Sequence, residues 1–264
     1  MTELRSLLQK KIQSGEKLLS IYLTAGFPDA EATLPLLQAL AEGGADFIEL
    51  GVPFSDPLAD GPVIQAASTQ ALAAGMSVEK ALQLCDRFTG EHELPVLLMG
   101  YANPFMKFGW QRLAEQAQQA RVAGMIIPDL PPEESETVQE TLRAAGISLV
   151  FLASPNTSEA RIRLIDRLCD AFVYAVSVTG VTGARDSLPA QTTEFLQRLR
   201  SLTEHPVLVG FGVSSAATAR SLVAHADGVI IGSSVIELIR TAPGLDAACE
   251  RVHAFVREIK TAIS

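Results

Sequence analysis

No apolar run in this 264-residue sequence is long enough to cross a bilayer. Stretches such as Leu94–Met99 and Val229–Ile231 fall far short of the roughly 20 residues a spanning helix needs. Basic charge is also scarce. Lys and Arg total 21 against 30 Asp and Glu, a formal net charge of −9. That balance excludes a general binder of nucleic acid or of anionic membranes, because both need a basic surface. It leaves room for a local anion site built from backbone amides, which add nothing to the count of basic residues. The three cysteines, Cys85, Cys169 and Cys249, are odd in number and far apart. They form no metal or redox motif and suit a reducing compartment. The N-terminal stretch is amphipathic and carries Glu3 among its basic residues. It lacks the apolar core of a secretory leader, so the expected location is cytoplasmic.

What the sequence does have is apolar residues, 48% of the chain, and a regular alternation of two patterns. Short apolar runs read as buried strands at Leu18–Thr24, Asp46–Leu50, Pro95–Met99, Gly124–Pro128, Ser148–Leu152, Ala171–Val176, Pro206–Phe211 and Gly228–Ile231. They are apolar at nearly every position, as expected where both faces of a parallel sheet are covered. Helical periodicity falls between them, at Glu31–Glu42, Gln111–Ala120, Glu133–Ala145, Glu159–Leu168, Gln191–Leu202, Ala216–Ala224 and Leu245–Ala262. Eight strand–helix units without a linker or a shift in composition predict a single α/β domain over residues 1–264. The expected fold is a (β/α)8 TIM barrel with an extra N-terminal helix. A doubly wound open sheet is the competing fold, but the segment after the first strand, YLTAGFPDA, lacks the G-x-G-x-x-G fingerprint.

A barrel places its chemistry at the C-terminal ends of its strands. Glu49 falls inside the apolar second strand, where burial would raise its pKa and fit it for proton transfer near neutral pH. The structural alternative is a buried ion pair, although no predicted strand carries a Lys or Arg to complete one. Asp56 and Asp60 lie in the turn-rich loop that follows, where each has an equally ordinary reading, Asp56 as a turn residue and Asp60 as a helix cap. Strands 7 and 8 are followed by Gly212 with Ser214 and by Gly232 with Ser233. These are either plain helix starts or the small-residue loops that hold a phosphate in this fold. A Gly- and Thr-rich stretch after strand 6, Thr179–Gln191, reads as a lid or a surface loop. Tyr22, Tyr101 and Tyr174 fall in or just after strands and Phe211 ends strand 7; together they allow an aromatic-lined pocket. The six lysines stay out of the strand interiors, and the four histidines sit in helices or ahead of strands. Schiff-base chemistry, His-based acid–base chemistry and a His-ligated metal are therefore not expected. What is left is carboxylate chemistry on a small phosphorylated substrate.

At these positions the chain resembles a known family. The segment ELGVPFSDPLADGPVIQ, Glu49–Gln65, resembles the signature of the tryptophan synthase alpha subunits. The likeness extends to YLTAGFPD (Tyr22–Asp29), MGYANPF (Met99–Phe105), IIPDLPPEES (Ile126–Ser135), SPNT (Ser154–Thr157), SVTGVTGAR (Ser177–Arg185) and GFGVSS (Gly210–Ser215). The resemblance implies a barrel that cleaves indole-3-glycerol phosphate to indole and glyceraldehyde 3-phosphate, with no cofactor or metal of its own. It implies Glu49 and Asp60 as the catalytic carboxylates and Tyr22, Tyr174 and Phe211 as the lining of the indole pocket. Gly183, Gly212, Gly232 and Ser233 would form the phosphate loops. It also implies a pyridoxal-phosphate-bearing beta subunit as partner, in an α2β2 heterotetramer that passes indole through an internal channel. A stand-alone indole-releasing lyase, another phosphate-binding barrel enzyme and a non-catalytic barrel that only activates a partner are the other readings.

Overall fold

The computed structural model describes residues 2–176, 188–210 and 212–264. Eight parallel strands close into a barrel in sequence order: β1 (Leu18–Thr24), β2 (Phe47–Gly51), β3 (Val96–Met99), β4 (Gly124–Ile126), β5 (Ser148–Ala153), β6 (Val173–Val176), β7 (Val207–Gly210) and β8 (Gly228–Ile231). Closure comes from β8 pairing back onto β1, with Leu18 opposite Gly228 and Ile21 opposite Ile231. Nearly every strand residue is buried, because side chains alternate between the barrel interior and the surrounding helices. Around the barrel run α1 (Glu3–Gln13), α2 (Thr33–Glu42), α3 (Pro62–Ala73), α4 (Val78–Glu91), α5 (Ala102–Phe108), α6 (Trp110–Gln119), α7 (Glu136–Ala144), α8 (Glu159–Leu168), α9 (Ala190–Leu202), α10 (Ala216–Val223), α11 (Ser233–Arg240) and α12 (Leu245–Ile263). No helix among the described residues is long and apolar enough to cross a membrane.

The N-terminal end of the barrel is a scaffold. Just ahead of β2, β6 and β8 stand Asp46, Asp170 and Asp227, and each carboxylate accepts the backbone N–H of a neighbouring odd strand. Leu19 N donates to Asp46 at 2.7 Å, Leu149 N to Asp170 at 3.0 Å and Val207 N to Asp227 at 2.9 Å. Ala123 holds the matching place ahead of β4, its N–H bonded to Val96 O. Each aspartate also meets a cation, and Asp46 meets two. Lys11 of α1 and Lys260 of α12 both reach its carboxylate at 2.6 Å. Lys260 also donates to the carbonyl of Lys17. Both terminal helices are thereby tied to the start of β2. The expected N-terminal helix is present, with Leu4 and Leu8 buried against the barrel floor.

The strands follow the expected ones to within a few residues at each end. Between β2 and β3 the structure differs, holding two helices where sequence periodicity marks only the start of the first. Ser77 caps the second, α4, by accepting from Lys80 N. The short α5 was not expected either; at seven residues it is too brief to show helical periodicity. Ser214 does not open α10. Its neighbour Ser215 is the cap, accepting from Thr218 N at 3.2 Å.

Candidate active site

Glu49 is fully buried in the interior of β2. One carboxylate oxygen accepts a hydrogen bond from Ser20 Oγ of β1 at 3.0 Å; the other, Oε2, is buried with no partner among the described residues. No cation neutralises it among those residues, so the ion-pair reading is overturned. Burial pushes its pKa up to about 8, against a small opposing pull from Ser20. A carboxyl in such a site is protonated at neutral pH and close to releasing that proton.

Asp60 belongs to the loop between β2 and α3, and the structure overturns the helix-cap reading for it. The cap of α3 is Gly61, and no side chain bonds to the first-turn amides. The Asp60 carboxylate instead lies within the influence of the Tyr101 hydroxyl, just past β3. Burial raises its pKa to about 6, with the tyrosine pulling the other way. Two carboxyl groups at one barrel end thus have different proton affinities, the arrangement that separates acid from base. Asp56 is exposed, hydrogen bonded by Ser55, on the outer side of the same loop, and takes no place beside Glu49.

Tyr22 and Tyr174 are both buried, and each lies across a glycine of the next strand. A Cβ on Gly51 would overlap the Tyr22 hydroxyl, and one on Gly210 would overlap that of Tyr174. Only glycine allows rings to lie this close over a neighbouring strand. Tyr22 also packs its Cβ and ring against the Gly232 position. Its hydroxyl accepts from Thr24 Oγ1 at 3.3 Å. Burial raises the pKa of both phenols, and their acidic neighbours Asp60 and Glu49 push the same way once ionised. Tyr22, Tyr174, Glu49 and Asp60 therefore share one electrostatic neighbourhood.

The loops after β7 and β8 touch through Ser234, whose hydroxyl donates to Val213 O at 3.2 Å. Gly212 has φ +80°, a left-handed conformation that favours glycine. Gly232 is the cap residue of α11 and Ser233 is its exposed first residue, so first-turn amides stand at this loop. Gly183 and Phe211 lie outside the described residues, as does Thr179–Gln191 up to its last four positions, of which the final two begin α9. The sequence counts Tyr101 among the aromatics of a pocket but does not pair it with Asp60; MGYANPF after β3 is the available signal.

Comparison with known proteins now decides the family. The profile of the tryptophan synthase alpha chain matches residues 8–264. The chain belongs to that family. A tryptophan synthase alpha chain from Aromatoleum aromaticum is 43% identical over 264 residues, covering 100% of this chain and 97% of the relative. The crystal structure of the alpha chain from Legionella pneumophila superposes with a TM-score of 0.90 at 36% identity, covering 100% of this chain and 97% of that one. A chain of the tryptophan synthase complex from Pyrococcus furiosus gives 0.85 at 36% identity, covering 92% and 98%. As a tryptophan synthase alpha chain it is a lyase of tryptophan biosynthesis that cleaves indole-3-glycerol phosphate. Its family implies a beta-subunit partner.

Proposed function

We propose that Glu49 and Asp60 carry out the retro-aldol cleavage as a divided pair. The observation that carries this reading is the buried Glu49 carboxyl, held protonated near neutral pH, with one oxygen free of protein partners among the described residues. Breaking the bond between indole C3 and the glycerol carbon requires an electron sink. Protonation of C3 by Glu49 makes the indole ring that sink, as an indoleninium cation. The Asp60 carboxylate accepts a hydrogen bond from the ring N–H and stabilises the positive charge as it develops. The Glu49 carboxylate then takes the proton of the C3′ hydroxyl. The O–H electrons form the aldehyde C=O, and the C–C electrons restore aromatic indole. Glu49 ends protonated, as it began, so protons balance over the cycle.

The rest of the site binds and orients. Tyr22, Tyr174 and Phe211 hold the indole ring, while Gly183, Gly212, Gly232 and Ser233 hold the phosphate. The amides at the α11 start favour an anion without basic side chains. The partner would be the pyridoxal-phosphate-bearing beta subunit, in an α2β2 assembly in the cytoplasm. Its docking face is the groove of about 640 Å³ lined by Pro53, Phe54 and Asp56 on one side and Asn103, Pro104 and Phe108 on the other. Beside it in sequence are the exposed apolar side chains Leu58 and Met106. Release of indole from indole-3-glycerol phosphate, measured with and without a beta subunit, tests the assignment. No indole in either condition overturns it, and an unchanged rate with no co-purifying beta subunit overturns the partnership.

Two further results are expected. The pH profile of kcat/KM should be bell-shaped, because Asp60 must be ionised and Glu49 protonated. Activity rises as pH passes Asp60 at about 6 and falls as it passes Glu49 at about 8; a flat profile from pH 5 to 9 would count against the division of roles. Gly210→Ala should displace the Tyr174 ring and raise KM by roughly 10-fold or more, since small misplacements of a binding group are costly. An unchanged KM in steady-state kinetics would mean the ring is not part of the pocket.

A further inference from the structure

Resting on the role proposed for Asp60, we infer that Tyr101 is the positioning residue that fixes that carboxylate. Its hydroxyl acts on two adjacent residues of one loop. It accepts the backbone N–H of Ala59, the residue before Asp60, at 3.0 Å, and it faces the Asp60 carboxylate, whose ionised form it favours. A single phenolic oxygen thus sets both the path of the loop backbone and the direction of its acidic side chain. The fit is chemically specific, because a phenol has one proton to give and lone pairs to accept with. Asp60 needs such a brace. Its helix offers no capping bond to its side chain, and its two flanking neighbours Ala59 and Gly61 are exposed.

The tyrosine is itself well held. It is buried at the N-terminus of α5, and its ring packs against Phe54 with centroids 5.4 Å apart. Phe54 lies five residues ahead of Ala59 in the same loop and lines the outer groove. Burial and the nearby Asp60 charge keep the phenol neutral, so it remains a donor across the working pH range. The other titratable groups that feel Asp60 are the phenols of Tyr22 and Tyr174, also neutral. Tyr101 is therefore the group whose hydroxyl favours the ionised carboxylate against burial. Keeping Asp60 ionised and aimed is what its role in the cleavage demands.

The test is Tyr101→Phe in the full chain, which keeps the ring against Phe54 and removes only the hydroxyl. Indole release from indole-3-glycerol phosphate should fall by about 10-fold or more in kcat/KM, the scale of one hydrogen bond to a charged group. The acidic limb of the pH profile should move to higher pH, because the hydroxyl that favoured the carboxylate is gone. In an Asp60→Asn background the same change should have little further effect, since both act through one group. A lowered rate with an unmoved acidic limb, or fully additive losses in the double variant, would overturn the positioning role while leaving Asp60 in place. Full activity in Asp60→Asn alone would remove Asp60 from the reaction, and the role of Tyr101 with it.

Discussion

Glu49→Gln should leave the barrel folded and lower indole release by at least about 10²-fold, the scale set by loss of an essential proton shuttle. The side chain keeps its shape, and its amide oxygen can still accept from Ser20. What disappears is a group able to give and take a proton at indole C3 and the adjacent hydroxyl. The same change should alter stability, with a definite sign. Glu49 in the folded chain titrates at about 8, against 4.5 for an unperturbed Glu. Between those values the folded state holds a proton that the unfolded state has lost. Wild-type stability therefore falls as pH rises from about 4.5 to about 8, by on the order of a few kcal/mol. A glutamine has nothing to titrate. The variant should match wild type near pH 5 and exceed it near pH 8, the pattern of a site that trades stability for function. Denaturation at the two pH values, beside turnover, checks both halves. Near-normal turnover would remove Glu49 from the mechanism, and a variant less stable than wild type at pH 8 would contradict the cost assigned to its burial.

The largest loss of stability is expected at the other end of the barrel, from Asp46→Ala. This carboxylate joins α1, β1, β2 and α12 through Lys11, Leu19 N and Lys260. Without it the buried Leu19 N–H loses its acceptor, which has no access to water as a substitute. The two lysine side chains are partly exposed, at 33% and 21%, so water relieves part of their loss. The expected cost is about 3 kcal/mol, below the full penalty of an orphaned buried charge. Asp170→Ala and Asp227→Ala should cost less, since each meets one arginine that is nearly half exposed. Urea denaturation of the three variants gives the order, and equal losses would show that the doubled ion pair adds nothing. Indole release at a temperature where all three are folded should be unchanged, because these residues lie opposite the site.

Much of this could be read in the chain. The eight strands are nearly continuous apolar runs because both faces of a closed parallel sheet are covered, and such runs are visible without a structure. Glu49 stood out for the same reason, as a charge where every neighbour is apolar. The helices α4 and α5 were harder, one following directly on another helix and one shorter than two full turns. Ser214 and Ser215 are adjacent and chemically alike, and only backbone geometry tells which of them caps.

By itself, then, the sequence determined the barrel, the carboxylate chemistry and the family. These depend on periodicity and on residue types at fixed spacing, both of which are local properties. The tertiary structure decided which reading of each candidate holds. Asp60 answers to a tyrosine 41 residues away in sequence rather than capping its own helix. Glu49 has a serine of the adjacent strand β1, and no cation among the described residues, for company. Tyr22 and Tyr174 lie over glycines of neighbouring strands. Each of these facts is a contact between distant parts of the chain, and the proton affinity of a carboxyl group depends on such contacts and on the water they exclude.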